Sequence, residues 1–281
     1  IQLKMLENEV EKAAKTQKIT CSIELSPVLR HFLRNAKATI FNYELFRNGK
    51  IIYGDKHILD EMPEISANQI PPYDAFFLLS NRIVEQIAFY AKLQSGGLSQ
   101  INAFYQLVKL YMDIAGSYLI ITGRYEPSYL RRNKLFSSLA NNECFLSDES
   151  FSPFLAHLQK MTSFKLNPDI SRTTELSLDQ INKLFLDSIE YARQLWLWEV
   201  QFLTKNDAKT LEKSYHLVAT GFPLKAKIRG WLKFLKISWT VDEQLPYRKL
   251  IRLFIHGMMP QTLIYRVAAQ IYFSLDQDIT Y

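Results

Sequence analysis

Charged and aromatic side chains occur at spacings that could bind an anionic substrate. Lys109 and Asp113 are one helical turn apart in a segment whose opposite side is apolar, so they share one face of a helix and could form a charge pair in a cleft. Arg131, the first of two consecutive arginines, follows Tyr125 and Tyr129, and this group could grip a phosphate. We predict these five as substrate-binding residues. A cluster of charges at the start of a helix is the alternative explanation of the arginines.

Several common motifs for catalysis are missing from the sequence. The Gly96-Gly97 pair is not followed by Lys-Ser or Lys-Thr, so it does not form a phosphate-binding loop. No Gly-x-Ser-x-Gly motif of a serine hydrolase occurs. The five histidines are scattered without the spacing of metal ligands. We therefore interpret the histidines as surface or structural residues.

The front of the chain is the only part with the pattern of β-strands. After a first helix over residues 1–18, apolar and polar residues alternate from Lys18 to Leu25, with Glu24 on the polar side. A short helix over residues 27–35 follows. Residues 39–46 and 51–54 are predicted to be two strands joined by a turn at Asn48-Gly49, because Asn-Gly is typical of tight hairpins.

From residue 71 onward the pattern indicates long helices. Pro72 and Gly123 are expected start and stop signals, and Ser177 with Gln180 forms a predicted capping box. The fold class is therefore predicted to be mainly α: a helical bundle over residues 71–281, with a seam near 167–176, preceded by a short α/β remnant over residues 1–60. The predicted helices are 73–93, 98–122, 129–139, 152–163, 177–204, 207–220, 223–237, 245–258 and 261–275.

The order of the front elements resembles the second half of a polymerase-beta-type nucleotidyltransferase domain. The resemblance is carried by the predicted strand from Phe41 to Leu45, a Gly turn and the run Ile-Ile-Tyr-Gly-Asp over residues 51–55. The turn from Gly123 to Tyr129 is similar to the exit turn of the helical bundle that accompanies such enzymes. The Gly-Ser and Asp-x-Asp motifs of the family would lie upstream of Ile1, and the chain does not begin with Met. We expect a C-terminal portion that is inactive alone.

The resemblance implies transfer of a nucleotide from a nucleoside triphosphate (NTP) to a hydroxyl acceptor with Mg²⁺. Two divalent ions, held by clustered carboxylates, would activate the hydroxyl and neutralise the triphosphate. Glu24 is the candidate catalytic base or third metal ligand. The family more often has Asp there, so the residue also fits a degenerate enzyme or a solvated glutamate on a strand.

Composition and charge are those of an ordinary globular protein with one basic region. The 281 residues are 48% hydrophobic with only 9 Gly and 10 Pro, which excludes collagen-like and disordered classes. The net charge of +6 arises in residues 205–281, which hold 12 Lys and Arg against 6 Asp and Glu. The region 224–252 could bind an acidic partner, either protein, membrane or nucleic acid, or its apolar face could dock on the body. The alternative function is a non-catalytic helical scaffold with this basic surface.

The remaining sequence features concern location. No apolar run is long enough to span a bilayer, and no signal peptide is visible. Cys21 and Cys144 are far apart and do not suggest a disulfide framework. We therefore expect a protein of the reducing cytoplasm.

Overall fold

The computed structural model describes residues 2–17, 25–139, 143–168, 176–221, 224, 227–228, 230–232 and 259–276. Within these ranges the chain forms helices and no strand, which confirms the prediction of a mainly α fold. Two short 3-10 turns, Ile58–Glu61 and Ala67–Gln69, precede the long helices. The α-helices are α1 (Gln2–Thr16), α2 (Arg30–Arg34), α3 (Ile40–Asn48), α4 (Pro72–Gln94), α5 (Gln100–Ile121), α6 (Tyr129–Ser137), α7 (Asp148–Leu166), α8 (Leu178–Thr204), α9 (Leu211–Thr220) and α10 (Pro260–Ser274).

Helix α5 is the centre of the bundle. It packs against α4, α6, α7 and α8, and α10 packs against α4, α8 and α9. The sequence explains this position, because α5 is apolar around most of its circumference and such a helix is stable only when it is surrounded. The core around it is rich in aromatic rings from these helices. Trp196 of α8, for example, lies against Phe76 of α4 with ring centroids 5.1 Å apart.

Local signals in the sequence predicted several helix ends correctly. Pro72 occupies the first turn of α4, and Gly123 follows the end of α5 with a φ of +69°, a conformation that favours glycine. The Ser177 hydroxyl accepts from the Gln180 backbone N–H at 3.1 Å, and the Gln180 side chain accepts from the Ser177 N–H at 2.8 Å. The predicted capping box at the start of α8 is confirmed.

The predicted hairpin over residues 39–54 is wrong. Residues 40–48 form α3, and Thr39 caps this helix by accepting the Asn42 backbone N–H at 3.2 Å. Gly49 has a φ of −56°, not the positive value that the predicted turn requires. Ile52 and Tyr53, expected in a sheet, are 97% and 98% exposed.

The physical reason for α3 is tertiary packing. Its Tyr43 is buried in a second apolar cluster with Ile70, Ile120 and Ile121, which α5 and the segment before α4 supply. The Ile, Phe and Tyr residues of this segment favour strands only when a neighbouring strand gives them a pleated surface to pack on. Here they pack on a helix instead.

Other predictions fall on residues outside the described ranges. Residues 18–24 of the predicted strand, which include Glu24, lie there, as do most of the seam and the helix over residues 245–258. On both sides of the seam, α7 and α8 pack against α5. Within the described part of the chain, no helix combines the length and hydrophobicity that crossing a membrane requires.

Candidate functional site: a basic and aromatic cluster

Three polar side chains of α5 form one line along the helix. Tyr105, Lys109 and Asp113 are spaced four residues apart, while most of the remaining surface of α5 is buried and apolar. Residues four apart lie above one another on a helix, so these three share one face. Side chains from α4, α6 and α7 meet this line. We call the group the basic-aromatic cluster: Arg82, Tyr105, Lys109, Asp113, Tyr125, Tyr129, Arg132 and Lys165.

Asp113 forms a salt bridge with Arg82 of α4. The Arg82 Nε atom donates to one carboxylate oxygen of Asp113 at 2.7 Å, the Nη2 atom lies 2.6 Å from the same oxygen, and both side chains are largely buried. Burial raises the pKa of Asp113 above its ordinary value, and Arg82 opposes this shift. Arg82 also contacts the exposed Glu85. The partner of Asp113 is therefore Arg82 and not Lys109.

Lys109 and Lys165 converge on one tyrosine. The Nζ atoms of Lys109 and Lys165 lie 5.3 and 4.6 Å from the centre of the Tyr105 ring, within the range of cation–π contacts. Lys165 also donates a hydrogen bond to the Tyr105 hydroxyl. In the part of the chain that the structure describes, neither lysine has a carboxylate partner. Among the described residues, no acidic side chain balances the two positive charges at this end of the cluster.

The charge on these lysines changes the titration of Tyr105. The hydrogen bond from Lys165 lowers the pKa of the Tyr105 hydroxyl, and the charges of Lys165, Lys109 and Arg82 lower it further, although burial acts in the opposite direction. A lowered pKa means that negative charge is favoured at this oxygen. The same positive charges would attract an anion that binds beside Tyr105.

Arg132 lies between two aromatic rings at the other end of the cluster. Its guanidinium carbon is 4.8 Å from the centre of the Tyr125 ring and 4.5 Å from that of Tyr129. Lys165 reaches the same Tyr129 ring at 5.7 Å, which connects the two ends. Gly116 of α5 leaves room for this arrangement, because an added Cβ atom would be only 3.3 Å from an Arg132 nitrogen.

Tyr125 connects the cluster to α3. Its hydroxyl donates to Glu44 at 2.5 Å, and the Arg132 Nη2 is 3.9 Å from the same carboxylate oxygen. Burial raises the pKa of Tyr125 well above its ordinary value, so this hydroxyl stays protonated. Glu44 was predicted in a strand, and the structure places it on α3 instead.

Four of the five predicted substrate-binding residues meet in this cluster. Lys109, Asp113, Tyr125 and Tyr129 belong to it, whereas Arg131 is exposed and faces Glu126 at 3.8 Å. Whether the four bind a substrate stays a prediction.

Sequence reasoning missed Arg82, Arg132 and Lys165, and it chose Arg131, which lies outside the cluster. Arg82 is on α4 and Lys165 is on α7, and no local signal in the sequence connects either residue to the line on α5. Gly116 was a usable signal, because a glycine within a long helix often marks a close approach by another group. Here that group is Arg132.

A cavity of about 470 Å³ lies between α6 and α7, and two of its lining residues directly follow cluster residues in the chain. Leu130 and Leu166, which follow Tyr129 and Lys165, contribute to its walls. Its volume is within the usual range of small-molecule sites. The other seven lining residues are polar: Asn133, Lys134, Ser137, Ser138, Gln159, Thr162 and Ser163.

The described residues do not fit a magnesium centre. Among them, no three His, Cys, Asp or Glu side chains are grouped so that they could hold a metal ion. The buried carboxylate of Asp113 is held by Arg82. Glu24, the predicted ligand, lies outside the described residues.

No protein-family model, no curated protein and no solved structure matches this chain.

Proposed function

We propose that the chain binds a phosphate-bearing ligand of the nucleoside triphosphate class at the lysine end of the basic-aromatic cluster. One observation carries this proposal: Lys109 and Lys165 meet at Tyr105, and neither has an acidic partner among the described residues. Two cations held together lose their mutual repulsion when an anion binds between them, so the arrangement favours an anionic ligand.

The chemistry of the three side chains suits phosphate oxygens. Each lysine has up to three N–H donors, and the Tyr105 hydroxyl, which accepts from Lys165, has its own proton to donate. Hydrogen bonds from a charged donor to an anionic oxygen are among the stronger ones in proteins. The cavity between α6 and α7, whose walls include the residues that follow Tyr129 and Lys165 in sequence, has enough volume for a sugar or base.

A nucleotidyltransferase reaction is the activity that such binding would serve. In this proposal the helical bundle positions the triphosphate, and the hydroxyl acceptor and catalytic carboxylates come from outside the described residues. The support is that Lys165 contacts both the Tyr129 ring and the Tyr105 ring, and that Lys109 contacts the Tyr105 ring as well. The turn at Gly123 brings α6 back beside α5.

The alternative is a non-catalytic helical scaffold. One observation favours it: residues 40–48 form α3, whereas the transferase resemblance depends on a strand there. Triphosphate binding distinguishes the two proposals, because only the transferase proposal predicts that a triphosphate binds at Lys109 and Lys165.

Isothermal titration calorimetry with ATP, UTP and inorganic tripolyphosphate tests the proposal. We expect the unmodified chain to bind at least one nucleotide, and the K109A/K165A variant to bind it at least about tenfold more weakly. The matched control is K12A/K183A, which removes two exposed lysines and the same amount of charge. Absence of binding, or an equal loss in the control, would contradict the proposal.

A further inference from the structure

Three exposed apolar residues follow one another at helical spacing in the basic region. Leu224, Ile228 and Leu232 are 73%, 46% and 63% exposed. The chain is helical at all three positions, and residues four apart lie on one side of a helix. Together they form what we call the 224 stripe, an apolar surface in contact with water.

The segment that contains the 224 stripe contacts the rest of the protein through two other residues. Trp231 is 5% exposed, unlike the three residues of the stripe. A Cβ atom added at Gly230 would lie 2.7 Å from the Met259 sulfur, so the backbone is in close contact with the residue before α10. The segment therefore docks through Gly230 and Trp231 and leaves the 224 stripe uncovered.

Charge in the same stretch of sequence indicates what covers the stripe. Each apolar residue of the stripe is followed directly by a basic residue: Lys225, Arg229 and Lys233. From 224 to 236 the sequence holds five Lys and Arg and no Asp or Glu. An apolar stripe within a purely basic segment is the pattern of helices that lie on anionic lipid surfaces.

We propose that the 224 stripe inserts into the surface of a bilayer containing anionic lipid. The apolar side chains enter the boundary between headgroups and acyl chains, while the neighbouring cations attract the lipid phosphates and carboxylates. A nucleic acid would use the cations but leave the three apolar side chains in water, so lipid fits both observations better. This proposal does not depend on nucleotide binding.

Vesicle co-sedimentation tests the proposal. The unmodified chain is expected to bind vesicles of phosphatidylcholine with phosphatidylserine, and to bind pure phosphatidylcholine at least about tenfold more weakly. High salt should also weaken binding, because it screens the attraction. The L224S/I228S/L232S variant is expected to lose at least about nine-tenths of the binding. Circular dichroism of each variant establishes that it is folded.

A second apolar stripe supplies the matched control. Ile264, Val267 and Ile271 of α10 are 58%, 51% and 45% exposed, and Arg266 is the only charged residue of that helix. The I264S/V267S/I271S variant is expected to bind vesicles as the unmodified chain does.

Three results would overturn the proposal. The first is vesicle binding that persists in the folded L224S/I228S/L232S variant, or that both triple variants lose equally. The second is self-association in sedimentation velocity that this variant abolishes, because the partner would then be a second copy. The third is binding of single-stranded RNA, with no binding of anionic vesicles.

Discussion

The Glu199 carboxyl group and the Ser117 hydroxyl form a hydrogen bond in the centre of the bundle, where both side chains are completely buried. The Ser117 oxygen also lies 2.9 Å from the backbone carbonyl oxygen of Ala75, which can only accept. A hydroxyl has one proton to donate. If Ser117 gives its proton to Ala75, the proton in the other bond comes from Glu199, which is then neutral.

Stability is therefore predicted to fall as the pH rises. Burial raises the pKa of Glu199 from 4.5 to about 8, and Ser117 opposes this shift. Between these values the folded chain holds one proton more than the unfolded chain, so the free energy of unfolding decreases by up to ~1.4 kcal/mol per pH unit. E199Q keeps a donor for Ser117 and should remove this contribution. Urea unfolding at several pH values from about 5 to about 8 measures it.

The matched control for Glu199 is E212Q, because Glu212 is exposed on α9. It should leave the pH dependence unchanged. If E199Q and the unmodified chain lose stability equally with rising pH, Glu199 is already ionised at neutral pH and the assignment of its proton is wrong.

Substitution of Asp113 is expected to destabilise the fold, because it also leaves the positive charge of Arg82 without its partner. D113A leaves Arg82 largely buried without its main partner, which should lower the free energy of unfolding by about 2 to 4 kcal/mol. R82M/D113L removes both charges and should cost less than the sum of the two single substitutions. A double-mutant cycle in urea measures the coupling. E85Q, which changes only the exposed contact, should stay within about 0.5 kcal/mol, and additive effects of R82M and D113L would contradict the pairing.

The two consecutive arginines are expected to differ sharply. R132A removes a buried guanidinium between the rings of Tyr125 and Tyr129 and should cost about 2 kcal/mol, whereas R131A should cost less than about 0.5 kcal/mol. R132K should recover only part of the loss, since an ammonium group does not stack as a planar guanidinium does. Equal unfolding midpoints for R131A and R132A would show that the stacking is not formed.

Thr39 tests whether residues 40–48 form a helix in solution. T39A removes the side chain that caps α3 and should cost about 1 kcal/mol, while T39S retains the hydroxyl and most of the stability. Thermal unfolding of the two variants measures the difference. If residues 39–46 formed the predicted strand instead, T39S would lower the stability as much as T39A, because serine lacks the branched side chain that favours strands.

The sequence predicts those parts of this fold that depend on neighbouring residues. The capping box at Ser177 and the stop at Gly123 involve groups within a few residues of one another, and both were correct. The strand prediction for residues 39–54 failed because propensity is local, whereas α3 is stabilised by contacts with Ile120 and Ile121, far away in the chain.

The same contrast between neighbouring and distant residues applies to the candidate site. Lys109 and Asp113 could be found because they are one turn apart on a helix, and Tyr105, one turn earlier, could have been included on the same reasoning. Arg82 and Lys165 could not be found, since only the packing of α4 and α7 against α5 brings them there. Glu199 gives no sign in the sequence that its carboxyl group is buried.

Protection of lysines from chemical modification tests the central claim most directly. The chain is acetylated with and without saturating ATP, and the modified lysines are quantified by mass spectrometry. If the ligand binds at the lysine end of the cluster, ATP should slow acetylation of Lys109 and Lys165 at least about fivefold and leave Lys12 and Lys183 unchanged. Equal acetylation of Lys109 and Lys165 with and without ATP, or protection at other lysines only, would contradict the claim.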